Sequence, residues 1–125
     1  MSDFAAQHPS LAEFDVVVTR NVMVEMRDGV KLATDIYRPA RDGEPIPGPL
    51  SVLLYRTPYN KDEVEAALGY NRWFTRRGYI CVTQDCRGCY ASQGRVNFLF
   101  PEAQDGFDTL GWIDRQPWSH GKVGS

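Results

Sequence analysis

Two short apolar runs constrain the fold most: LSVLLYR (residues 50–56) and GYICVTQD (78–85). Nearly continuous apolarity over so few residues marks a strand covered on both faces. Between them lies DEVEAALGYNRWFTRRG (62–78). Asp62 suits a helix cap, Glu65 completes a capping box, and Arg76 and Arg77 complement the last turn. Gly78 suits the left-handed residue just beyond. Buried strand, helix, buried strand describes a βαβ unit, and therefore a parallel sheet.

Upstream, DVVVTRNVMVEM and VKLATDIYRP alternate around Asp28-Gly29 and are rich in β-branched residues. Two such runs around Asp-Gly predict a β-hairpin. The second run places Val30, Leu32, Thr34 and Ile36 on one face. ARDGEPIPGP (40–49), with three prolines and two glycines, reads as a surface loop. RGCYASQGRVNFLF (87–100) is also loop-like. PEAQDGFDTLGWIDRQ then opens with Pro101 and the acids Glu102 and Asp105, which suits a helix start. Its spacing predicts an apolar face of Ala103, Phe107 and Leu110 running to Asp114, with Ile113 alongside. GKVGS reads as the opening of another buried strand, and its position at the C-terminus suggests a fragment of a longer protein. Residues 1–13 are polar and mixed and read as a flexible arm. Residues 14–125 read as one unit, the N-terminal part of an incomplete α/β catalytic domain.

A chain of 125 residues and 42% hydrophobic content can bury a core of its own. The net charge of −2 excludes the basic excess typical of nucleic-acid binders. No apolar run approaches the roughly 20 residues of a membrane span. MSDFAAQHPSLAEFD has neither the basic nor the apolar region of a secretory signal. With three cysteines, an odd number, these features point to a cytoplasmic protein with thiols rather than disulfides.

The cysteines need weighing. Cys81-x4-Cys86-x2-Cys89 matches the first three ligands of a plant-type [2Fe–2S] site. No fourth cysteine follows, and the only histidines are His8 and His120. Cys81 falls within an apolar strand, where a thiol behaves as a small hydrophobe. The expectation is no metal and no cofactor.

Four stretches, in order, resemble the cocaine-esterase/X-Pro dipeptidyl-peptidase class of α/β-hydrolases: NVMVEMRDGVKLATDIYRP, LLYRTPYNK, GYICVTQDCRGCYASQG and DGFDTLGWIDRQPWSHGKVG. The third fits the pattern GY-x-x-V-x-x-D-x-RG-x-x-x-S-x-G, in which Cys86 and Cys89 occupy variable positions. The resemblance implies a mostly parallel α/β sheet, and acyl transfer from small esters, peptides or amides by a Ser-His-Asp triad. It further implies that Tyr59, in RTPY, donates its hydroxyl to the oxyanion, and that Pro58 restricts the backbone in front of it. Asp85, Arg87 and Gly88 fall at the end of a parallel strand, and their expected role is to support the site by shaping the turn. Arg72, Arg76 and Arg77 read as a solvated helix end, and Trp112 and Trp118 as packing residues.

The triad itself is expected to lie outside these 125 residues. The nucleophile belongs on a G-x-S-x-G elbow, expected about five positions past Gly124. None of Ser92, Ser119 and Ser125 stands in that pattern. Ser119 precedes His120, but sequence neighbours rarely face each other productively. The expected function is therefore an N-terminal piece of a serine hydrolase, inactive alone. The alternative is a non-catalytic module that binds a protein partner, or itself, through an unpaired sheet edge.

Overall fold

The computed structural model describes residues 14–94 and 100–124. The arm expected over residues 1–13 lies outside the described residues. The hairpin forms as expected: β1 (Asp15–Glu25) pairs antiparallel with β2 (Lys31–Arg41) around a turn in which Met26 and Val30 close the backbone. Gly29 has φ +87°, the left-handed conformation that a glycine adopts without strain. The register slips once, where Arg20 and Asn21 together oppose Asp35. This β-bulge puts Asn21 at φ 53°. β2 is buried on both faces rather than one, because β1 and β5 flank it and helices lie above and below.

The loop expected over residues 40–49 contains a second, smaller hairpin. Asp42 and Gly43 both adopt positive φ, and β3 (Glu44–Pro45) folds back onto the end of β2. Asp-Gly is again the signal, and proline is tolerated because the strand is two residues long and paired on one side.

β4 (Leu50–Thr57) and β5 (Ile80–Asp85) pair in parallel, and β6 (Ser119–Gly124) joins the other side of β4, also parallel. The sheet runs β1-β2-β5-β4-β6, with β3 on β2. Every residue of β5 is buried. β4 is covered less completely than its composition predicts, with Tyr55 49% exposed.

The single helix expected over 62–78 is two. α1 (Lys61–Leu68) ends at Gly69, φ 64°, and α2 (Tyr70–Thr75) starts there. The cap of α1 is Asn60, which accepts from the Asp62 N–H at 3.1 Å, so Asp62 lies in the first turn. Glu65 does not complete a box with Asp62. Its carboxylate accepts from the N–H groups of Asn71 and Arg72, which satisfies the first-turn donors of α2. At the helix end Arg77 is not merely solvated: its guanidinium stacks 3.7 Å from the Trp73 ring centroid.

α3 (Phe100–Asp114) packs on the opposite face of the sheet. Ile113 joins Ile36, Val52, Leu54, Ile80 and Val82 in the main core, with Trp112 and Trp118 packed against it. The two tryptophans meet edge-on at 6.0 Å. The face of α3 expected inside is mostly outside: Phe107 is 70% and Leu110 41% exposed, and Ala103 and Asp114 are exposed too. Asp105, Thr109 and Ile113 are buried instead, because β5 and the loop after it offer polar partners to the first two. No helix among the described residues is long and apolar enough to cross a membrane.

Candidate active site

Three parallel strands, β4, β5 and β6, run toward one edge of the sheet. Tyr59 stands on the loop after β4 at that edge, 71% exposed, its N–H donating to Thr57 Oγ1 at 2.9 Å. The ends of β4 and β5 are tied together, since the Cys86 N–H donates to the Thr57 carbonyl at 3.0 Å. Along the sheet Thr57 pairs with Asp85, and Leu53 pairs with Gly124 of β6.

Asp85 is fully buried and collects the surrounding chain. One carboxylate oxygen accepts from the Lys61 N–H at 2.9 Å, and its main-chain carbonyl accepts from Ser92 Oγ at 2.6 Å. Burial pushes its carboxyl up, opposed by the Lys61 N–H, the Lys61 ammonium and the Ala91 N–H. Ser92 Oγ in turn accepts from the Ala33 N–H at 2.8 Å, so this hydroxyl bridges β2 to the end of β5. That is a structural use of the serine.

Arg87 lies on the other side. Its guanidinium meets Asp105 through two bonds of 2.8 Å and reaches Asp28 in the hairpin turn at 2.9 Å. Asp105 first, then Asp28, holds its pKa above the usual arginine range, and Arg87 holds Asp28 below the usual carboxylate range. One side chain thus joins the hairpin turn, the loop after β5 and α3. Gly88, at φ +71°, donates to the Gln93 carbonyl at 2.7 Å and closes that loop. Gly94 packs against Arg87 so closely that a Cβ there would lie 2.9 Å from Arg87 Cγ.

Two buried groups escaped the sequence reading. Gln84 ties the sheet to α3: it donates to Thr34 Oγ1 at 3.0 Å and accepts from Arg56 Nε at 2.7 Å, with Thr109 Oγ1 3.0 Å from the same oxygen. Lys61, 2% exposed, places its ammonium 2.8 Å from Asn21 Oδ1, 3.2 Å from Asp35 Oδ1 and 3.9 Å from Asp85 Oδ2. Lysine in the first turn of a helix is read as solvated by default. The one available signal was the interruption of β1 alternation at Arg20-Asn21, opposite Asp35.

All three cysteines are buried thiols outside any disulfide, and burial raises the Cys81 thiol to about 11. Among the described residues no three His, Cys, Asp or Glu side chains come together as metal ligands. His8, Ser125 and the side chain of His120 lie outside the described residues.

A mixed sheet whose parallel strands β5, β4 and β6 carry helices on both faces is the architecture that α/β-hydrolases share. Its likenesses agree. An α-amino acid ester hydrolase superposes with a TM-score of 0.67 at 32% identity, over 90% of this chain and 21% of that one. A CocE/NonD family hydrolase from Staphylococcus aureus gives 0.71 at 26% identity, over 86% and 22%. Cocaine esterase from Rhodococcus sp. (strain MB1 Bresler) is 47% identical over 110 residues, 86% of this chain and 18% of that protein. The model of the X-Pro dipeptidyl-peptidase (S15) family matches residues 28–125, and the chain belongs to that family. It spans about a fifth of the length of these relatives.

Proposed function

We propose that this chain forms the N-terminal part of the catalytic domain of a serine hydrolase that cleaves small esters or amides through an acyl-enzyme. Within it Tyr59 is the oxyanion donor. Asp85, Arg87 and Gly88 support the site by fixing the loops around it. The observation that carries the reading is the position of Tyr59, exposed on a tied-down loop at the edge toward which three parallel strands run. Extending β6 by about four residues beyond Gly124 would bring it level with Thr57, beside that loop. A nucleophile elbow following β6 would then face the Tyr59 hydroxyl, and the backbone N–H after the serine would supply the second donor. The buried bonds around Asp85 and Arg87 hold this edge in advance of substrate, which is what an oxyanion site requires.

The test is a chimera in which these residues replace the corresponding segment of the Rhodococcus cocaine esterase. Tyr59→Phe removes one donor and is expected to lower kcat on a p-nitrophenyl ester about 100-fold or more, with the fold intact by circular dichroism. A Tyr59→Phe chimera as fast as its parent would refute the role of Tyr59.

A further inference from the structure

Lys61 stands where a cation is least at home. It is fully buried, and it occupies the first turn of α1, where the helix dipole disfavours positive charge. A buried ion cluster is often no more stable than well-packed apolar side chains of the same volume. Its presence therefore calls for something an apolar side chain could not do. What the ammonium does is join four separate pieces of chain: Asn21 of the β1 bulge, Asp35 of β2, Asp85 of β5, and the start of α1, which carries Lys61 itself and follows directly on the Tyr59 loop. Asp35 is held in place by the Asn21 N–H at 2.9 Å and by Arg20 at 3.3 Å, and Asp62 lies 3.3 Å from the ammonium on its solvent side.

The loop itself is strained. Asn60 has φ 71°, a conformation that costs a non-glycine residue about 1 kcal/mol or more. It persists because the segment is over-determined: Tyr59 N–H on Thr57 Oγ1, Lys61 N–H on Asp85, Asp62 N–H on Asn60 Oδ1. The ammonium adds a side-chain anchor to these backbone ones and lies two residues from Tyr59.

We propose that Lys61 is the positioning residue of the Tyr59 loop, its ammonium gripped by Asp35, Asp85 and Asn21 so that the loop presents the Tyr59 hydroxyl in one orientation. This rests on the oxyanion role given to Tyr59 above. Lys61 touches no reacting atom, and its effect on rate passes through Tyr59.

Two measurements on Lys61→Met test it. In the 125-residue chain, amide hydrogen exchange at positions 59, 61 and 62 is expected to speed up about tenfold or more, while Val82 and Tyr37 change less than about twofold. Unchanged exchange at positions 59–62 in a folded variant overturns the proposal. If Lys61→Met does not fold, Asp35→Asn loosens the same grip more gently, and the same amides must respond or the proposal fails. In the chimera, Lys61→Met is expected to lower kcat about tenfold with KM nearly unchanged, and to cost less than about twofold in the Tyr59→Phe background. An equal loss in both backgrounds overturns the proposal while leaving Tyr59 in its role. A Tyr59→Phe chimera with undiminished kcat, or a parent chimera with no activity, overturns the oxyanion reading and this proposal with it.

Discussion

Cys81 lies in β5, where every residue is buried, so its thiol is closed off from water. Its place in the apolar run YICVT predicts a buried thiol, and burial raises it from 9.0 to about 11, only partly offset by the Thr75 hydroxyl nearby. A raised folded-state value means that its stabilising contribution is complete below about pH 9. It is lost as pH climbs through about 11, at roughly 1.4 kcal/mol for each tenfold change in proton affinity, or about 2–3 kcal/mol in all. Tyr37 is also pushed up, by burial first of all. The comparison with Cys81→Ala isolates the thiol: urea unfolding between pH 8 and 11 is expected to show a flatter alkaline decline in the variant. Parallel declines would assign the loss to other groups. Arg87 was legible as a residue that shapes the turn because it follows a buried strand, but neither of its ion-pair partners was. Asp28 reads as a turn former and Asp105 as a helix-start acid, and each is common in that use without any arginine nearby. Lys61 was barely legible: the broken alternation at Arg20-Asn21 hints at a bulge, but nothing local to a lysine says that three distant side chains will close over it.

At the scale of elements, the hairpin and the parallel strands followed from period and turn chemistry, whereas helix faces and helix ends did not. The predicted helix over 62–78 divides at Gly69, where a left-handed residue costs little and lets Glu65 cap the second piece. In α3 the hydrophobic period marked Phe107 and Leu110, but beneath it lie Gln84 of β5 and Arg87 of the loop that follows, and these select Thr109 and Asp105 as the inward residues. Apolarity measures what can be buried, not what the opposite surface asks for. Leu110→Lys is accordingly expected to change stability by less than about 0.5 kcal/mol, and Ile113→Ala to cost about 2–5 kcal/mol by thermal or urea unfolding. The reverse order would restore the face predicted from sequence.

For the whole molecule, the four stretches that carry the family resemblance fall into one sheet and its flanking helices. The hairpin braces β5, and β5, β4 and β6 deliver their ends to a common edge. Chain order and buried runs foretold the parallel unit. The central place of β4, between β5 and β6, follows from strand pairing across long separations, which spacing does not encode. On the side of the sheet under α1 and α2, a groove of about 260 Å³ lined by Leu53, Tyr55, Val64, Leu68 and Phe74 leaves β4 partly open. A strand that reads as covered on both faces is here fully covered on one and half-covered on the other.

The most direct measurement is fluorophosphonate labelling of the purified 125-residue chain beside the chimera, with the modified residue located by mass spectrometry. The reagent reports an activated serine whether or not turnover follows. The predicted result is no label on the chain alone and a single labelled serine in the chimera, outside residues 1–125. Stoichiometric label on Ser92, Ser119 or Ser125 of the isolated chain would contradict it, and would place a nucleophile in the segment proposed to supply only the sheet, the oxyanion tyrosine and its supports.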